Sequence, residues 1–124
     1  RQVEIGYYPL HALPGAEAYG PWPPVVYHWH REGFSLPSGA LRLAASEVYE
    51  NQAMRYGRAA FGIQFHPEVT RLVMHRWTVL GRHRFDMPNA QERHAHLEGQ
   101  LMHDAPVAAW LDRFLDHWLA LAAA

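Results

Sequence analysis

Ala60-Phe61-Gly62-Ile63-Gln64-Phe65-His66-Pro67-Glu68-Val69-Thr70 joins an apolar run to a chemical motif at its tip, and the rest of the chain is arranged around it. The first half has the composition of a short buried strand; the second places an imidazole and a carboxylate two residues apart where that strand ends. In extended backbone, residues i and i+2 project to the same side. His66 and Glu68 are therefore expected to face one small volume beyond the strand's carboxyl end. Pro67 fixes its own φ and biases His66 away from helical angles, which predicts an extended pair. A carboxylate beside an imidazole orients the ring and stabilises its protonated form, as a general base serving a nucleophile requires. The same residues also read as an ordinary strand-end histidine next to a solvated charge.

Upstream, short apolar runs alternate with turn signals. Val3 to Leu10 reads as a strand, with Pro9 marking an edge or an end. Pro14 to Pro24 reads as a rigid connection rather than a docking motif, because its four prolines keep no repeating register. Val25 to His30 and Leu41 to Ser46 are further strands, and Leu36-Pro37-Ser38-Gly39 is a turn. Gln52 to Tyr56 turns through Gly57-Arg58 into the motif strand, Ala59 to Phe65.

His28 and His30 share one face of their strand, the geometry of a metal pair. A metal site needs a third ligand, and no His or acidic residue stands at an obvious ligand spacing nearby, so no metal is expected there. His94 and His96 form another close pair, but residues two apart on a helix do not share a face. With ten histidines in the chain, such pairs also arise by chance.

After Thr70 the period changes. Leu72, Val73, Trp77 and Leu80 recur at helical spacing, with Thr70 as N-cap. Asn89 followed by Glu92 predicts a capped second helix to about Met102. Asp104 and Pro106 open a third, whose stripe runs through Val107, Trp110, Leu111, Phe114, Leu115, Trp118 and Leu119. A strand-rich part, 1–69, followed by a helical part, 70–124, predicts an α/β layered domain, with the site at the carboxyl ends of strands.

Composition sets bounds. The 124 residues suffice for one domain or for part of a larger α/β domain. All eleven basic residues are arginine, and the formal net charge of −1 gives no sign of a nucleic-acid or membrane partner. Without cysteine there is neither a disulfide framework nor a thiolate metal site. No apolar run is long enough to span a bilayer, and a cytoplasmic location is the default expectation.

The motif as a whole, Phe61 to Thr70, resembles the C-terminal signature of class I, triad-type glutamine amidotransferases. Val25 to His30, Phe34 to Ala40, Leu43 to Ser46 and Asn51 to Gly57 follow that family's order and spacing. The resemblance covers residues 3–70 closely and the tail loosely. It implies a three-layer flavodoxin-like fold, no cofactor, and His66 and Glu68 as second and third members of a Cys-His-Glu triad that hydrolyses the side-chain amide of glutamine. It further implies that Tyr27, His28 and Trp29 border the glutamine pocket, and that ammonia passes to a synthetase subunit or domain. Where relatives show His-Gly-Asp, this chain has His30-Arg31-Glu32. The family's nucleophile lies well upstream of these motifs, and the chain opens at Arg1 on a strand resembling one from mid-domain. The expectation is a C-terminal portion that pairs with an N-terminal part of its own domain and is inactive alone. A noncatalytic regulatory domain of the same fold and a histidine-rich metal-binding protein are the rival readings.

Overall fold

The computed structural model describes residues 2–124. Six strands, β1 (Glu4–Pro9), β2 (His11–Ala12), β3 (Val25–His30), β4 (Leu41–Ala45), β5 (Ala53–Tyr56) and β6 (Ala60–Ile63), precede two helices, α1 (Arg71–Leu80) and α2 (Arg93–Ala123). β1 and β3 form an antiparallel ribbon; β2, β4, β5 and β6 form a second sheet in that order, also antiparallel. This is the expected α/β architecture. The connection between β2 and β3 contains one short 3-10 turn, Ala16–Tyr19.

The ribbon is covered on both faces. Directly opposed residues of an antiparallel pair share a face, so Glu4, opposite His30, and Gly6, opposite His28, look one way, while Ile5 and Tyr7 look the other with Trp29 and Tyr27. The face carrying Tyr7, Tyr27 and Trp29 packs with Met74 and Trp77 of α1 and Leu97 of α2. The other face meets the second sheet, where Val26 joins a core with Leu43, Ala53 and Phe65.

The free edge of β1 is held by residues 88–91 instead of another strand. Gln91 accepts from Tyr7 N at 2.9 Å and donates to Tyr7 O at 2.6 Å, in addition to its own backbone bond to Ile5 O at 2.9 Å. Gly6, at φ +128°, makes this docking possible, because a Cβ there would overlap the Gln91 side chain. Gly99 serves α2 in the same way: its Cβ would overlap the Tyr7 ring, so the bare backbone lets the helix lie against β1.

Several expectations need correction. The motif strand is not a buried strand: β6 is the edge of its sheet, Ala60 is exposed and Phe61 to Ile63 are only half-buried, while Phe65, beyond the strand, is in the core. On α1 the Thr70 cap is present, accepting from Val73 N at 3.3 Å, but the inward face is Met74 and Thr78 with Val73 and Trp77, and Leu72 and Leu80 are exposed. Asn89 caps nothing; it sits at φ 73° and donates its side-chain amide to Val3 O at 2.8 Å.

Finally, the two predicted C-terminal helices are one helix of 31 residues that runs through Pro106. An interior proline costs about 3 kcal/mol. Burial of Val107, Trp110 and Phe114 beyond it, at roughly 1.5–3 kcal/mol each, more than offsets this. Met102, whose carbonyl loses its partner, is exposed to water. The C-terminal stripe is also narrower than its composition: Leu119 is exposed and Leu115 partly so.

Candidate functional site

His66 follows β6 by three residues and is tied to the ribbon by its own backbone, its N–H donating to Tyr27 O at 2.8 Å. Pro67 and Glu68 occupy a turn, not extended backbone. The turn brings the pair together all the same: His66 Nδ1 lies 2.9 Å from Glu68 Oε1. A carboxylate oxygen accepts, so Nδ1 carries the proton and Nε2 is the ring's basic nitrogen. Both side chains reach solvent, His66 at 30% and Glu68 at 61% of full exposure.

The His66 ring stands edge-on to Trp77, with centroids 5.1 Å apart. Beside it is a cavity of about 320 Å³ lined by Trp29, His66, Trp77, Leu80, Gly81 and Arg84, among others. Trp29 meets Trp77 edge to face at 5.7 Å, so the aromatic wall is one packed unit. Trp77 was legible in the sequence only as a core position of α1. Its place beside His66 follows from how α1 packs on the ribbon.

Of the three residues expected to border a pocket, Trp29 lines this cavity and Tyr27 stands behind it, stacked on Trp77, whereas alternation along β3 turns His28 to the opposite face of the ribbon, away from the cavity. The Tyr27 ring is buried and its hydroxyl bonds His96 Nδ1 at 2.7 Å; His96 Nε2 donates to Gln91 O at 2.9 Å, which makes Tyr27 the donor of the first bond. Burial raises the Tyr27 phenol far above its ordinary value and lowers His96, so a neutral pair is favoured here.

His28 is fully buried, and with His30 it forms a second constellation. His28 Nδ1 is 3.2 Å from His30 Nε2, and His30 Nε2 is 3.6 Å from Glu4 Oε1. The acidic group that no sequence spacing reveals thus arrives from β1, by the register that sets Glu4 opposite His30. Ser46 Oγ and Gln52 Nε2 donate to Glu4 Oε1 at 2.7 and 2.8 Å. Burial favours the neutral form of all three groups. It raises Glu4 against those two hydrogen bonds, pulls His30 down to about 4, and, helped by the neighbouring imidazoles of His30 and His66, holds His28 well below its ordinary value.

No family model and no curated protein matches the chain. Solved structures do. The crystal structure of a glutamine amidotransferase from Methylobacillus flagellatus superposes with a TM-score of 0.86 at 23% identity, over 96% of this chain and 53% of that one. A glutamine amidotransferase from Thermotoga maritima superposes at 0.79 with 29% identity, over 94% and 51%. The chain therefore has the fold of these glutamine amidotransferases and spans about half their length. No helix among the described residues is long and apolar enough to cross a membrane.

Proposed function

We propose that this chain supplies the histidine and carboxylate of a class I glutaminase site whose thiol comes from an N-terminal part of the same domain, outside these 124 residues. The observation that carries the reading is the His66–Glu68 contact of 2.9 Å beside the cavity walled by Trp29 and Trp77, in a chain with the glutamine amidotransferase fold.

In this reading Glu68 holds the proton on His66 Nδ1 and aims Nε2 at the thiol. His66 Nε2 takes the thiol proton, and the thiolate attacks the side-chain amide carbon of glutamine. The carbon–nitrogen bond breaks as His66 returns the proton to the leaving ammonia, giving a γ-glutamyl thioester. Water, deprotonated by His66, then releases glutamate and restores the thiol. Trp29 forms the wall of the substrate cavity, and Tyr27 positions His66 through its backbone carbonyl. Ammonia passes to an acceptor subunit or domain, and the site lies in the cytoplasm.

The test is ammonia release from glutamine by the intact protein and by its His66→Ala variant. The expected result is activity in the former and loss of about 10²–10⁴-fold in the latter, with unchanged circular dichroism. Near-normal release by a folded His66→Ala variant would sink the assignment. No release by the intact protein itself would favour the noncatalytic domain of the same fold.

A further inference from the structure

Glu4, His28 and His30 each offer one ligand atom, and the three atoms lie within 4.8 Å of one another. From the geometry of this cluster we propose that it is a binding site for one divalent transition-metal ion, Zn²⁺ by the chemistry of its donors. The site is separate from the glutaminase reading and does not depend on it.

Three observations support it. First, the donor separations suit a tetrahedral ion. Zinc bonds of about 2.0–2.1 Å to nitrogen and oxygen imply ligand atoms about 3.4 Å apart; here two spacings are 3.2 Å between the imidazoles and 3.6 Å from His30 to Glu4, and the third, His28 to Glu4, is within 4.8 Å, so the His28 ring and the carboxylate close in slightly when the ion binds.

Second, the surrounding bonds are those that orient metal ligands. His30 Nδ1 lies 3.2 Å from the Glu32 carbonyl, which can only accept, so that nitrogen carries the proton and Nε2 turns a lone pair inward. The carboxylate is in turn held by Ser46 and Gln52. The rings are also fixed by packing, His30 against Tyr49 with centroids 4.6 Å apart and His28 edge-on to Tyr8 at 5.7 Å.

Third, the cluster is a buried convergence of acceptors. Without an ion the His30 Nε2 lone pair takes the His28 proton and the buried Glu4 carboxyl keeps its own; a cation releases the Glu4 proton to solvent and draws the lone pairs of both groups. When the ion binds, the His28 proton moves from Nδ1 to Nε2, so both rings ligate as neutral imidazoles. Nε2 has no hydrogen-bond partner among the described residues, so the proton it receives is a buried donor without an acceptor, and the two metal–nitrogen bonds must outweigh that cost and the lost bond between the rings. Two imidazoles and one carboxylate leave a fourth position for water.

Isothermal titration of the chelator-treated intact protein with Zn²⁺ alone tests this, together with visible absorption after Co²⁺ is added alone. Expected are one ion bound per chain, the intense absorption of four-coordinate Co²⁺, at least tenfold weaker binding by Glu4→Gln and His30→Gln, and unchanged binding by His94→Gln. Ser46→Ala, which removes a donor to the carboxylate, should weaken binding by about tenfold and covers the case where a buried ligand variant does not fold. The proposal is overturned by absence of binding to the wild-type protein, by undiminished affinity in folded Glu4→Gln and His30→Gln, or by undiminished affinity in Ser46→Ala.

Discussion

The two histidine–carboxylate clusters of this chain differ in how they are assembled. His66 and Glu68 are neighbours in sequence, sit in a turn after an edge strand and reach solvent. Glu4, His28 and His30 come from two paired strands, are buried, and depend on donors from Ser46 and Gln52 in the connection between β4 and β5. Local spacing suffices to make the first; only strand register and packing make the second. The exposed pair is accordingly expected to matter for chemistry and little for stability, and the buried cluster the reverse.

Substitutions at the exposed pair probe that contrast with the largest effect. Glu68→Gln should lower ammonia release by the intact protein in the same direction as His66→Ala, because the wrong tautomer of His66 is no longer excluded, while the unfolding free energy from urea denaturation stays within about 0.5 kcal/mol of wild type. A large loss of stability in Glu68→Gln would erase the distinction between the clusters. At the buried cluster, Glu4→Ala removes the acceptor of two buried donors and should cost about 1–3 kcal/mol by urea denaturation. A neutral result would show that Ser46 and Gln52 repair themselves.

The long helix allows a contrast of the same kind between local preference and packing. Pro106 is exposed on α2, and its cost is carried by the buried stripe beyond it. Pro106→Ala should therefore raise stability, by up to about 3 kcal/mol; a lower melting temperature would mean that the proline shapes the helix usefully.

The smallest effect concerns His96, which faces the Tyr27 hydroxyl and the Gln91 carbonyl. Its folded-state value is depressed, so below about pH 6.5 the unfolded chain binds a proton that the folded one resists. Stability is then lost as pH falls from 7 to 5.5, by at most about 1.4 kcal/mol per pH unit, until the folded-state value is passed. In His96→Gln the slope of urea midpoint against pH should be shallower by that contribution; an unchanged slope would remove His96 from the acid response.

Much of the architecture was legible from local pattern. β3 runs over Val25–His30 as its composition predicts, the Gly57-Arg58 turn joins β5 to β6, and Thr70 caps α1, because turn chemistry, capping and β-propensity act within a few residues. The single helix across Pro106 was not legible, since local rules stop a helix there and the opposing energy lies in side chains packed against distant strands.

The closeness of His66 to Glu68 and the order of strands before helices were determined by sequence alone, because covalent spacing limits where neighbouring side chains can go; that the pair meets across a turn instead of along extended backbone was decided by the fold. The tertiary structure alone decided that Glu4 joins His28 and His30, that Trp29 and Trp77 wall the cavity beside His66, and that Leu72 and Leu80 stay outside. Each of these depends on strand register or helix rotation, and those are set by the sum of buried contacts across the whole chain rather than by any one segment.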